Sequence, residues 1–115
     1  MAGCGDGPHC DESLSAAFEI LGKRWNGVIL GVLAEGDARF ADLSRGLSGA
    51  ISDSVLSSRL AELAEFGLIE RNVVEGPPVG VRYSLSGAGR ALIPALDALG
   101  GWARDHLGRD ASPAR

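Results

Sequence analysis

The sequence predicts a mainly α-helical domain with one small β-hairpin, a fold class that rests on three observations. Residues 39–67, RFADLSRGLSGAISDSVLSSRLAELAEFG, read as two helices joined by a short turn. In the second of these, Leu56, Leu60 and Leu63 fall at i, i+4 and i+7 and form one apolar stripe. Ser54, Ser57, Ser58 and Ala61 occupy or border the other side, a narrow face without large apolar groups. Further on, two short strand-like runs flank a Gly-Pro-Pro turn.

The totals are compatible with this class. At 115 residues the chain is the size of one domain that buries a core without disulfide staples. No stretch approaches the roughly 18 apolar residues of a membrane span. The N-terminus lacks the basic-then-apolar order of a secretion signal, so the expected location is the cytoplasm. The net charge of −4 is unevenly placed. Residues 1–22 hold Asp6, Asp11, Glu12 and Glu19 and no Lys or Arg, whereas 23–90 and 91–115 each balance to zero. A neutral middle still allows a basic face, since distribution sets the local potential.

In chain order, residues 1–10 are Gly-rich and read as a flexible tail, followed by a domain over 11–107 and a second tail over 108–115. Asp11, Glu12 and Ser13 suit a helix start. Leu14, Ala17, Phe18 and Leu21 give that helix its stripe, and Gly22 ends it. Lys23, Arg24 and Trp25 open a second segment, apolar nearly all round through Val28, Ile29, Leu30, Val32 and Leu33, hence a buried central support that Gly36 closes. Phe40, Leu43 and Leu47 supply the core stripe of a short third helix. Ser52 or Asp53 caps the fourth, about 52–66. Gly67 is placed for a left-handed stop, with Leu68 set to touch Leu63 across it. Residues 68–74 and 79–85 form the hairpin, the second run alternating Val79, Val81, Tyr83 and Leu85 with Gly80, Arg82 and Ser84. Ser86 caps a last helix in which Pro94 predicts a kink or a late start. Two helices, a tight turn and a following hairpin are the parts of a winged helix-turn-helix.

At this point the sequence resembles the HxlR-type family of winged helix-turn-helix regulators, relatives of the MarR type. The resemblance spans about residues 10–107 and is carried by Cys10, FEILGKRWNGVIL (18–30), RFADL (39–43), the Ile51-Ser52 helix entry, LAELAEFGLIER (60–71), Pro77-Pro78 and RYSLSGAGRAL (82–92). It implies a homodimeric, DNA-binding transcription factor that is no enzyme. Its fourth helix would enter the major groove, its wing (68–85) would touch backbone or minor groove, and its terminal helices would pair two subunits. The chain departs from the pattern at the reading helix, where family members often carry Gln or Lys and this one has Asp53, Ser54, Ser57 and Ser58. Its hairpin is also one residue longer than usual.

These readings nominate four groups of residues. Ser54, Ser57, Ser58 and Arg59 are the base-reading candidates; the alternative is a solvated face with Arg59 bracing the core. Lys23, Arg24, Arg39, Arg45, Arg71 and Arg82 are the phosphate and wing candidates, each with a surface ion pair as the alternative. Cys4 and Cys10 are the only thiols. Cys10 matches the family's N-terminal cysteine, a redox or electrophile sensor in some members, and the alternative is an inert thiol. Leu14, Phe18, Leu96, Leu99, Trp102 and Leu107 exceed what one small core needs and suit an intersubunit seam. Cys4, His9 and Cys10 fall short of a metal ligand set, and no cofactor is expected. The partners are therefore double-stranded DNA and a second copy of the chain, with a small-molecule or oxidant effector left unspecified. The competing function is a winged-helix module that docks on protein without sequence-specific DNA binding.

Overall fold

The computed structural model describes residues 12–47, 49–77 and 79–108. In order they form α1 (Glu12–Leu21), α2 (Asn26–Ala34), β1 (Ala38–Arg39), α3 (Phe40–Gly46), α4 (Asp53–Glu65), β2 (Ile69–Val74), β3 (Gly80–Leu85) and α5 (Gly87–Leu107). This is the mainly helical winged helix-turn-helix that the residue pattern predicts, with one strand more. The sheet is three-stranded and antiparallel in the order β1-β3-β2. The extra strand β1 spans only two residues, too few for the alternation by which a strand shows itself in sequence.

The core forms where α2, α3 and α4 meet the inner face of the sheet. Ile29, Leu30 and Leu33 of α2, Leu43 of α3, Leu56, Leu60 and Leu63 of α4, and Ile69, Tyr83 and Leu85 of the sheet are buried together. The α4 stripe is therefore the anchor that its spacing predicts. Both ends of α4 are fixed locally. Ser52, rather than Asp53, is the N-cap, its Oγ accepting from the Val55 amide at 3.2 Å. At the other end Gly67 takes a φ of 80°. The Leu68 amide donates back to the Leu63 carbonyl and the Gly67 amide to that of Ala64, both at 3.0 Å, the pair of bonds that defines a Schellman stop. Leu68 then leads directly into β2.

Three expectations are corrected. Residues 23–25 do not open α2: they form a turn, and Trp25 stands just ahead of the helix with φ 85°, an uncommon conformation for a bulky side chain. Next, α2 is not buried all round. Ile29, Leu30 and Leu33 face the core, but Val28 and Val32 are exposed because neither α1 nor α5 covers that side. Finally, α5 does not start late: it begins at Gly87 and runs through Pro94 to Leu107, which leaves the kink as the other expected alternative. Pro94 and Arg90 both lie on the exposed side, so the carbonyl that Pro94 leaves without a helical donor can be hydrated. Ser86 caps α5 as expected, accepting from the Gly89 amide at 3.1 Å while its hydroxyl donates to the Gly67 carbonyl at 2.6 Å. One serine thus joins the start of α5 to the end of α4.

Candidate nucleic-acid interface

With its leucines turned inward, α4 presents Ser54, Ser57 and Ser58 outward, all exposed. The helix-turn-helix pair is stapled at its open end, where Ser44 of α3 donates to Asp53 Oδ1 at 2.6 Å. That bond engages the carboxylate on the first turn of α4. The hydroxyls of Ser52 and Ser54 lie 3.4 Å apart, so the N-terminal end of the outer face is a short row of groups that donate and accept equally well. Such groups fit against a groove wall but distinguish bases poorly.

Arg59 stands apart from the serines. Its side chain is about one quarter exposed, and Nη1 lies 3.6 Å from Glu62 Oε1. Its Nε is buried without a hydrogen-bond partner. Glu62 is the centre of a larger arrangement. Lys23 donates to Oε2 at 2.7 Å, and Nδ2 of Asn26 reaches Oε1 at 3.3 Å while also donating to the Ile20 carbonyl at 2.8 Å. Asn26 is wholly buried. The Lys23 hydrogen bond, followed by that of Asn26 and helped by the charges of Lys23 and Arg59, holds the Glu62 carboxyl below the ordinary range; partial burial opposes this and is outweighed. Sequence reasoning missed Asn26 and Glu62. The signal available was a lone asparagine opening an otherwise apolar segment, but its partner lies 36 positions away.

The six phosphate candidates divide into two sets. Lys23 is paired with Glu62, Arg45 with Asp42 at 2.6 Å, and Arg24 lies over the Trp25 ring at 4.9 Å to its centroid. Among the described residues, Arg39, Arg71 and Arg82 have no carboxylate partner, and all three belong to the sheet. Arg39 of β1 and Arg82 of β3 are directly opposite, on the face away from buried Ala38 and Tyr83. Arg71 pairs with Tyr83 and so projects from the other face.

Of the six seam candidates, all but Leu96 lie on the outward sides of α1 and α5. Leu14, Phe18, Leu99, Trp102 and Leu107 are each at least half exposed, and α1 buries no residue at all. Leu14, Phe18, Leu96 and Leu99 line an apolar groove of about 160 Å³ between α1 and α5. Leu96 is half-buried against the core. His106 only tilts against Trp102, at 5.9 Å between ring centroids. Cys4, His9 and Cys10 lie outside the described residues. Among the described residues no His, Cys, Asp or Glu cluster could hold a metal, and no helix is long and apolar enough to cross a membrane.

Comparison with known proteins agrees with this geometry. The family described as HxlR-like helix-turn-helix matches residues 20–111. The HTH-type transcriptional regulator YodB of Bacillus subtilis (strain 168) is 39% identical over 90 residues, which cover 78% of this chain and 80% of that one. The structure of reduced YodB from B. subtilis superposes with a TM-score of 0.77 at 36% identity, covering 85% of this chain and 95% of the other. The redox regulator HypR in its oxidised form gives a TM-score of 0.75 at 27% identity, covering 86% and 99% of the two chains.

Proposed function

The chain belongs to the HxlR-like helix-turn-helix family of transcriptional regulators, and from that premise we propose that it acts as a homodimer reading a pseudo-palindromic operator. The observation that carries the proposal is the exposed serine face of α4, fixed at both ends and backed by a fully buried leucine stripe. In this reading α4 enters the major groove with Ser54, Ser57 and Ser58 against base edges, and Arg59 reaches a base only by leaving Glu62. The wing over 68–85 follows the backbone or enters the minor groove. Half-sites stand about one helical turn apart. The exposed apolar groups of α1 and the outer half of α5 close on the same groups of a second copy.

The division among the arginines makes the test quantitative. If Arg39, Arg71 and Arg82 each take a phosphate of their own in each protomer, a dimer neutralises about six phosphates and log K falls with log salt at a slope of about −5, or about four and about −3.6 if Arg39 and Arg82 share one. Engagement of all six candidates per protomer would steepen it to about −11. Titrating a labelled duplex from the region upstream of the protein's own coding sequence, at several potassium chloride concentrations, measures the slope. Sedimentation gives the stoichiometry. Binding that is weak, insensitive to salt and indifferent to sequence refutes DNA reading and favours a protein-docking module. A monomer that persists at micromolar concentration refutes the seam.

A second element of the proposal concerns the signal. Solved relatives include a reduced form of YodB and an oxidised form of HypR, the latter described as a redox regulator. The one cysteine of this chain that matches the family's N-terminal thiol is Cys10, two positions before α1. We assign it the role of thiol sensor, bridging subunits or taking up an electrophile. A non-reducing gel after mild oxidant, comparing wild type with Cys10→Ser, tests the bridge: a wild-type band that stays monomeric removes it.

A further inference from the structure

We propose that Arg39 and Arg82 act as a single clamp on one phosphodiester of bound DNA, and that Gly80 is glycine because the clamp needs its missing side chain. The inference rests on the DNA-binding reading above and adds a bipartite site within it.

Three observations lead to it. First, the register of the sheet sets Arg39 directly opposite Arg82, with Asn72 next in the same cross-strand row. Like charges facing each other across two strands destabilise a sheet. Here neither guanidinium has a carboxylate partner among the described residues, although residues 23–90 hold as many acidic as basic side chains. Glu70 lies on the same face of β2, opposite Ser84, and makes no ion pair with either arginine. The repulsion is thus left for an anion from outside to relieve. Second, the Arg39 guanidinium extends over Gly80, two residues from Arg82 on the same face of β3. A Cβ at position 80 would stand 2.7 Å from Arg39 Nη1, closer than the two atoms can approach. Third, Arg39 is tied down at its main chain, where its amide donates to Asp42 Oδ2 at 3.3 Å; the other oxygen of Asp42 is held by Arg45. The strand that carries Arg39 is therefore fixed at the mouth of α3, and only its guanidinium is left to move.

Two planar guanidiniums carried on neighbouring strands can each offer a pair of N–H donors to the two free oxygens of one phosphodiester. Asn72 extends the row with an amide. The site grips backbone and carries no base information, so it sets the depth and angle at which the wing meets the duplex.

A mutant cycle separates one shared phosphate from two independent ones. The probes are the duplex from upstream of the coding sequence and a scrambled duplex of equal length, bound by the full chain. If the arginines share a phosphate, the Arg39→Ala/Arg82→Ala dimer loses two phosphate contacts, and its salt slope becomes shallower by about 1.8. Each single variant then loses less than the double because one guanidinium still holds the phosphate. Independent contacts would instead add, giving a change of about 3.6 in the double variant, and that result overturns the clamp. Gly80→Ala is the second arm. Its backbone is not left-handed and its only close neighbour is the end of a flexible side chain, so the fold should survive while Arg39 is displaced. The expected result is binding like that of Arg39→Ala, with no further loss when the two are combined. A Gly80→Ala protein that binds both duplexes as wild type does also overturns the clamp. Wild-type protein that binds neither duplex defeats the DNA reading itself, an outcome distinct from both.

Discussion

Replacing Asn26 in two ways should separate a hydrogen-bonding role from a space-filling one at the corner between α1 and α2. Asn26 is fully buried and donates from Nδ2 to the Ile20 carbonyl at 2.8 Å and to Glu62 Oε1 at 3.3 Å, while its Oδ1 has no partner. Asn26→Ala removes both donations, for a loss of about 2–4 kcal/mol including the acceptor left unpaired at Ile20. It also removes the unpaired Oδ1, which returns about 1 kcal/mol or more, so the net loss is about 1–3 kcal/mol. Asn26→Asp keeps the shape, loses the same donations, and sets a second carboxylate against Glu62, whose neighbouring cations Lys23 and Arg59 already face Glu62 itself. An uncompensated buried charge costs about 3–5 kcal/mol. The two accounts predict opposite orders. If Asn26 mainly fills space, the isosteric Asp is the milder change; if it acts as a donor, Asp is the worse one. Urea unfolding at one fixed protein concentration, with the m-value checked for constancy, gives the order directly. An Asp variant as stable as the Ala variant, or more so, would refute the donor account.

Two other outcomes follow from the same part of the molecule. The Glu62 carboxyl is held below its ordinary value of 4.5 by Lys23 first and Asn26 second; its contribution is therefore fully present above that value and is lost as pH falls through the lower folded one. Melting curves from pH 7 down to pH 3 should show wild type more stable than Glu62→Gln at neutral pH, with the difference shrinking in acid; a constant difference would count against the ion pair. Ser86→Ala should cost about 1–2 kcal/mol, because it removes the cap of α5 and the bond to the Gly67 carbonyl together, whereas Ser52→Ala loses the cap bond to Val55 and a long, exposed contact with Ser54 and should cost about 1 kcal/mol, a ranking that chemical denaturation resolves.

The parts of the fold that were legible in sequence are those written in local chemistry. The fourth helix could be bounded at both ends because Ser52 and Gly67 sit where a cap and a left-handed stop are needed, and the stripe between them has an unbroken helical period. The hairpin was legible for the same reason. What sequence could not supply depends on partners far along the chain. Strand β1 is a strand only because Ala38 and Arg39 meet Tyr83 and Arg82. Lys23 and Asn26 gain their meaning from Glu62, across 39 and 36 positions. The left-handed Trp25 has no glycine or asparagine to announce it. The exposed side of α2 was misjudged because a count of apolar residues tells how much surface seeks cover, not whether this chain provides it.

On the proposed reading, the distribution of charge favours the wing, more than α4, as the element that sets the grip on a duplex. On α4 the outward groups are short hydroxyls, Asp53 is held by Ser44, and Arg59 is drawn toward Glu62. Lys23 and Arg45 are likewise occupied. Of the six phosphate candidates, the three with neither a carboxylate nor a ring partner, Arg39, Arg71 and Arg82, are on the sheet. A reader built this way loses little when a base pair changes under its serines, because each hydroxyl adapts to donor or acceptor. It loses more when the duplex changes width or bend, since the strands that carry Arg39 and Arg82 are held in register by the buried Ala38–Tyr83 pair and only their side chains can follow a displaced phosphate. Discrimination between operators should then depend on the shape and deformability of the duplex as much as on base edges. In the proposed dimer, any signal that alters the seam would act on the same property. Helix α1, half of that seam, runs through Ile20 into the Asn26–Glu62 contact and so into the side of α4. A shift there changes the spacing at which two wings meet the backbone without touching a base contact.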